Sequence, residues 1–92
     1  MNVFTKGSFH RDVAALSDVA LLQALRVKID QIKAAPDITN ITGLKLLRGY
    51  RVHYRIYVRA DKTSYRIGAI IRGSTVWLVR FLPRRTIYSQ FP

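Results

Sequence analysis

The hydrophobic rhythm of the chain changes once, near Tyr50, and that change limits the fold more than any other feature. Upstream, apolar residues recur at helical spacing: Phe9, Val13 and Leu16 at i, i+4 and i+7, then Leu21, Leu22, Leu25, Ile29 and Ile32 as one stripe. Ser8 is the expected N-cap of the first helix. Ser17-Asp18 restarts the pattern, and Pro36 ends the second helix because its ring disfavours helical geometry in the residue before it. Val3-Phe4 is a short extended opening, and Thr39 to Gly43 reads as a loop. Downstream, β-branched and aromatic residues alternate with basic ones, Tyr54, Ile56 and Val58 on one side and Arg55, Tyr57 and Arg59 on the other. Turns at Ala60–Thr63 and Gly73-Ser74 fold this half into a three-stranded meander. The expected architecture is α+β: a small antiparallel sheet with two N-terminal helices packed on one face, in the order β-α-α-β-β-β.

Those turns also fix which residues meet. Tyr57 falls opposite Arg66, Arg55 opposite Gly68, and Arg66 opposite Phe81, and opposed residues share a face. Arg55, Tyr57 and Arg66 therefore form one expected cluster. The tail from Pro83 is too short for an independent helix, but a single helical turn sets Arg84 and Tyr88 on one side.

At 92 residues, of which 49% are hydrophobic, the chain reads as one domain spanning 1–92 with a modest core. Little volume remains for a deep pocket, so no large cofactor is expected. Cysteine is absent, which removes disulfides, thiol chemistry and Cys-based zinc sites; two histidines without a carboxylate cluster suggest no metal. No apolar run nears the ~20 residues of a membrane span, and no leader pattern opens the chain. The expectation is a cytoplasmic protein without membrane attachment.

Charge is distributed unevenly. Residues 1–43 hold five basic and four acidic side chains, whereas residues 44–92 hold eleven basic and one acidic, Asp61. Ion pairs within the fold cannot neutralise the second half, but a phosphate backbone or an acidic protein can. Nine of those eleven are arginine, whose forked planar head suits phosphate better than a lysine point charge.

Four phrases in order, Leu46-Leu47-Arg48-Gly49-Tyr50, Tyr54-Arg55-Ile56-Tyr57-Val58, Tyr65-Arg66-Ile67-Gly68 and Arg84-Arg85-Thr86-Ile87-Tyr88-Ser89-Gln90-Phe91-Pro92, resemble the RelE/ParE superfamily of bacterial toxin–antitoxin toxins. The resemblance implies a RelE-type translational repressor, a metal-independent endoribonuclease that cuts messenger RNA in the ribosomal A site through attack of a 2′-OH on the adjacent phosphate. It also implies an acidic antitoxin as partner, with any direct DNA binding left to that antitoxin. Carried over by position, Arg66 matches the strand arginine at the scissile phosphate, and Arg84 the tail arginine that stabilises the phosphorane or leaving oxygen. Tyr88 matches the tail tyrosine that orients the nucleotide, and Arg55 a position that is basic in RelE. Lys45, Arg48, Arg51, Tyr57 and Arg85 are the expected nucleic-acid contacts.

Two positions depart from the pattern: Tyr57 stands where RelE has a second basic residue, and Pro83 where many relatives have histidine. No glutamate exists in the chain, and arginine is a poor base, so the proton-transfer group stays open. His53, on the side of Arg51 and Arg55, is one candidate. Tyr54, Tyr65 and Trp77 read as packing. Two other functions stay compatible with the residues, a ParE-like gyrase inhibitor without nuclease activity and a non-catalytic RNA-binding module.

Overall fold

In a computed structural model describing residues 1–92, β1 (Asn2–Thr5) leads into α1 (Gly7–Ala14) and α2 (Val19–Ala34). A 3-10 turn at Ile38–Asn40 and a short strand β2 (Leu44–Leu46) follow. The meander β3 (His53–Ala60), β4 (Thr63–Arg72) and β5 (Thr75–Pro83) comes next, and α3 (Arg84–Gln90) ends the chain. The sheet order is β1-β5-β4-β3-β2. The α+β class and the helix–helix–meander order match the expectation. The sheet gains β2 as an edge strand, and its other edge is parallel, β1 lying alongside β5. Three residues of β2 are too few to display a period, which is why sequence alone does not announce it.

The two N-terminal helices, α1 and α2, cover one face. Ile56, Val58, Ile67, Ala69, Ile71, Val76, Leu78 and Phe81 from the sheet enclose a core with Phe9 of α1 and Leu21, Leu25 and Ile32 of α2. Ile32, Ile56, Ile67 and Leu78 are completely buried, each stabilising the fold by roughly 1.5–3 kcal/mol relative to an exposed side chain. Asp18 caps α2, its carboxylate accepting the Leu21 amide at 3.1 Å. Ser8 is not the cap expected for α1. The helix begins at Gly7, Lys6 holds the N-cap position without a side-chain bond, and the Ser8 hydroxyl donates to the Val79 carbonyl of β5.

One register expectation fails. Arg66 lies opposite Leu82, not Phe81, because a bulge at Gly68/Ala69 places Val79 as an extra residue in β5. A bulge flips the alternation of everything beyond it. Val76 and Leu78 point into the core, and after the bulge Phe81 does as well, opposite Ile67. Without it Phe81 would stand on the arginine face. The bulged segment is fastened by Asp12 of α1, which accepts Arg80 Nε at 2.7 Å, Arg80 Nη2 at 3.0 Å and the Phe81 amide at 2.9 Å. Arg80–Asp12 is the one ion pair in the molecule.

The second face of the sheet is covered only in part, by α3. Ile87 and Phe91 pack with Leu47, Val79 and Leu82 in a separate small cluster. The tail is thus a seven-residue helix rather than a single turn, and packing rather than propensity holds it.

Candidate functional site

Arginine-bearing positions on the second face meet at its uncovered end. Register sets Lys45 opposite Arg55 across β2 and β3, and Tyr57 opposite Arg66 across β3 and β4. Helix α3 brings Arg84 and Tyr88 over this row. Lys45, Arg55, Tyr57, Arg66, Arg84 and Tyr88, with Gly43 and Leu44, line one open cleft of about 410 Å³. Lys45 and Arg55 are like charges directly opposed on a sheet, an arrangement that costs stability unless an anion lies between or above them.

Aromatic rings do the work that carboxylates usually do around arginine. The Arg55 guanidinium sits 4.3 Å from the centre of the Tyr88 ring, and that of Arg66 4.3 Å from the centre of the Tyr57 ring. Arg66 Nη1 also donates to Ser64 Oγ at 2.8 Å and to the Tyr65 carbonyl at 3.1 Å. Arg55 Nε is buried and has no partner. None of the five aspartates lines the cleft. The positive field is therefore uncancelled, and a buried N–H is left for an acceptor that the chain itself does not supply.

Tyr88 is 54% exposed. The neighbouring Arg84 guanidinium, acting on the phenol, is the chief cause that draws its pKa below the ordinary tyrosine value; desolvation opposes this, and the charges of Arg84, Arg55 and Arg66 add to the lowering.

Of the residues singled out in the sequence, the four proposed for catalysis converge, as do Lys45 and Tyr57. Arg85 does not line the cleft; it lines a neighbouring groove with Ser64, Pro83, Arg84 and Tyr88. Arg48 and Arg51 are exposed in the turn between β2 and β3 and stay outside both. His53 is also outside, its ring 5.0 Å from that of Tyr50 and 5.8 Å from that of Phe91. His10 Nε2 bonds the Thr5 hydroxyl at 2.6 Å. Tyr54 and Tyr65 pack on the core, as read from their period, whereas Trp77 stacks on Phe4 at the far end of the second face.

Two contributors went unread. Ser64 shares the face of Arg66 by simple alternation, a signal that was present but bland. Gly43 has φ +73° and abuts Tyr57: a Cβ at Gly43 would lie 2.9 Å from that of Tyr57.

No family model matches the chain. A protein named Toxin RelE3 from Methanocaldococcus jannaschii is 41% identical over 49 residues, which is 53% of this chain and about half (51%) of the relative's own length. A crystallised RelB–RelE antitoxin–toxin complex from Methanococcus jannaschii contains a chain of the same fold, with a TM-score of 0.67 and 22% identity over 97% of this chain and 99% of that one. The fold is therefore shared with a chain of that complex along nearly the whole length of this one, and sequence similarity to the RelE3 toxin extends over about half of it.

Proposed function

We propose that the protein is a toxin of the RelE type, a metal-independent endoribonuclease that cuts messenger RNA on the ribosome and so arrests translation. The observation that carries this reading is the convergence of Arg55, Arg66, Arg84 and Tyr88 in one cleft free of carboxylates. In the reaction a 2′-OH attacks the neighbouring phosphorus, the 5′ oxygen leaves, and a 2′,3′-cyclic phosphate remains. Charge accumulates on the phosphorane oxygens, where fixed guanidinium groups stabilise it more than they do the ground state. Arg66 and Arg84 take that role, Arg66 at the scissile phosphate and Arg84 at the phosphorane or leaving oxygen. Arg55 completes the cationic wall, its unpartnered Nε offering one further donor. Tyr88 orients the nucleotide, so that attack and departure are in line. Lys45 grips flanking phosphate inside the cleft, and Arg48, Arg51 and Arg85 do so around it.

The partner is an antitoxin with an acidic, amphipathic segment. Two features support it: the net charge of +11, and an apolar groove of about 730 Å³ between α2 and β3 that includes Ala20, Ala24, Val27, Val58 and Ala60. Val27 is 60% exposed there, an apolar area suited to a helix face. The antitoxin in the crystallised RelB–RelE complex gives a precedent for such an assembly.

Toeprinting of a translated messenger with purified protein tests the reading. Cleavage in the A site by the wild type, lost in Arg66→Ala and Tyr88→Ala, is the expected result. Toxicity retained by both variants would overturn it, and loss of gyrase supercoiling without translation arrest would select the ParE-like alternative.

A further inference from the structure

We propose that Tyr57 and Ser64 are positioning residues that hold Arg66 in its working orientation, an inference resting on the nuclease reading above. Tyr57 reads from sequence as a contact to the nucleic acid. The structure gives one face of its ring a different occupant, the Arg66 guanidinium at 4.3 Å. The two residues are paired directly across β3 and β4, so the stack is built into the register of the meander.

Arg66 is held on further sides as well. Nη1 bonds Ser64 Oγ at 2.8 Å and the Tyr65 carbonyl at 3.1 Å, which leaves Nε and Nη2 uncommitted. Tyr57 is itself braced: its amide donates to the Gly43 carbonyl at 2.9 Å, and its Cβ abuts a glycine whose own Cβ would not fit. Arg55 makes a useful contrast, because it is stacked at the same distance on Tyr88 but its buried Nε bonds nothing. One arginine is fastened, and its neighbour is only stacked.

All three holders of Arg66 are neutral. A carboxylate would also fix the guanidinium, but it would cancel much of the charge that stabilises a phosphorane. A ring face, a hydroxyl and a carbonyl fix the plane of the guanidinium while leaving its charge and two donor atoms for phosphate. The rotamer freedom of a long side chain is then lost on folding and not at the moment of reaction. The cleft therefore carries an aromatic ring rather than a further cation at residue 57, and Arg66 is pinned by it.

The test is messenger cleavage on programmed ribosomes by the full chain, combined with arginine side-chain NMR of the same proteins. Tyr57→Phe keeps the ring and should stay within about twofold of wild type, whereas Tyr57→Leu should lower kcat about tenfold with KM nearly unchanged. Ser64→Ala should act in the same sense by about threefold, and it carries the test if Tyr57→Leu does not fold. In an Arg66→Lys background, Tyr57→Leu should add nothing. In the NMR experiment, rotation of the Arg66 guanidinium should be slow in wild type and in Tyr57→Phe, and fast in Tyr57→Leu. A rise in KM alone would make Tyr57 a stacking platform for a base, and inactivity of Tyr57→Phe would make its hydroxyl the important group; either overturns the proposal. So does an Arg66 as mobile in wild type as the exposed Arg59, a result that stands whether or not the ribosome assay detects cleavage. Wild-type protein that cleaves nothing yet keeps Arg66 rigid would sink the nuclease reading and leave the clamp intact.

Discussion

Phe91 crosses Gly68 so closely that a Cβ on Gly68 would lie 2.6 Å from the ring. Only a bare Cα lets α3 settle on the second face of the sheet, and α3 is what carries Arg84 and Tyr88 over Arg55. Gly68→Ala should therefore destabilise the protein by about 1–3 kcal/mol through overpacking. It should also lower cleavage more than the loss of stability explains. Urea unfolding monitored alongside activity checks both, and Gly68→Ala combined with Phe91→Ala should cost less than the sum of the single changes.

The Arg84–Tyr88 contact makes a prediction about pH. A neighbouring cation favours the phenolate, so Tyr88 should lose its proton at lower pH than an ordinary tyrosine. Arg84→Ala should move that midpoint upward, and Arg55→Ala should move it the same way by less. Titration of the protein labelled with ¹³C at tyrosine Cζ reads each phenol separately. A Tyr88 curve unmoved by Arg84→Ala would mean that the pair does not form in solution.

Asp12 binds the bulged end of β5 to α1 through three hydrogen bonds, two of them from Arg80. Removing the carboxylate in Asp12→Ala leaves a cation and a backbone amide without their acceptor. A loss of about 1–3 kcal/mol is expected, reduced from the fully buried case because Arg80 keeps 25% of its side-chain exposure. Chemical denaturation should show a lower midpoint with an unchanged slope.

Gly43 and Gly73 separate strain from contact. Both have positive φ, +73° and +57°, but an added Cβ at Gly73 meets nothing within 4 Å, whereas at Gly43 it meets Tyr57. Gly73→Ala should cost about 1–2 kcal/mol from backbone strain alone. Gly43→Ala should cost more, and of the two only it should impair the cleft, since it pushes on the residue that holds Arg66. Thermal melts and cleavage assays of the two variants make the comparison.

Several parts of this molecule are legible before any coordinates exist. The α2 stripe of Leu21, Leu25 and Ile32 faces the core as its spacing requires, and Asp18 and Pro36 bound that helix by local chemistry. The turns at Asp61-Lys62 and Gly73-Ser74 set the meander, and the meander sets Tyr57 against Arg66. Such features depend on neighbours within a few residues or across one tight turn, where period and backbone preference are decisive.

What the sequence determined, then, is the class of fold, the basic face, and the pairings that each hairpin imposes. Tertiary structure decided the rest. The bulge at Val79 returns Phe81 to the core and shifts Arg66 to Leu82, a choice made by volume and by Asp12 sixty-nine residues from the Phe81 amide. The reach of Tyr88 to Arg55, the exclusion of Arg48, Arg51 and His53 from the cleft, and the parallel docking of β1 on β5 also depend on packing between distant segments. Periodicity along the chain tells which side of its own strand or helix a residue occupies; only close packing of those elements fixes which sides come to face each other.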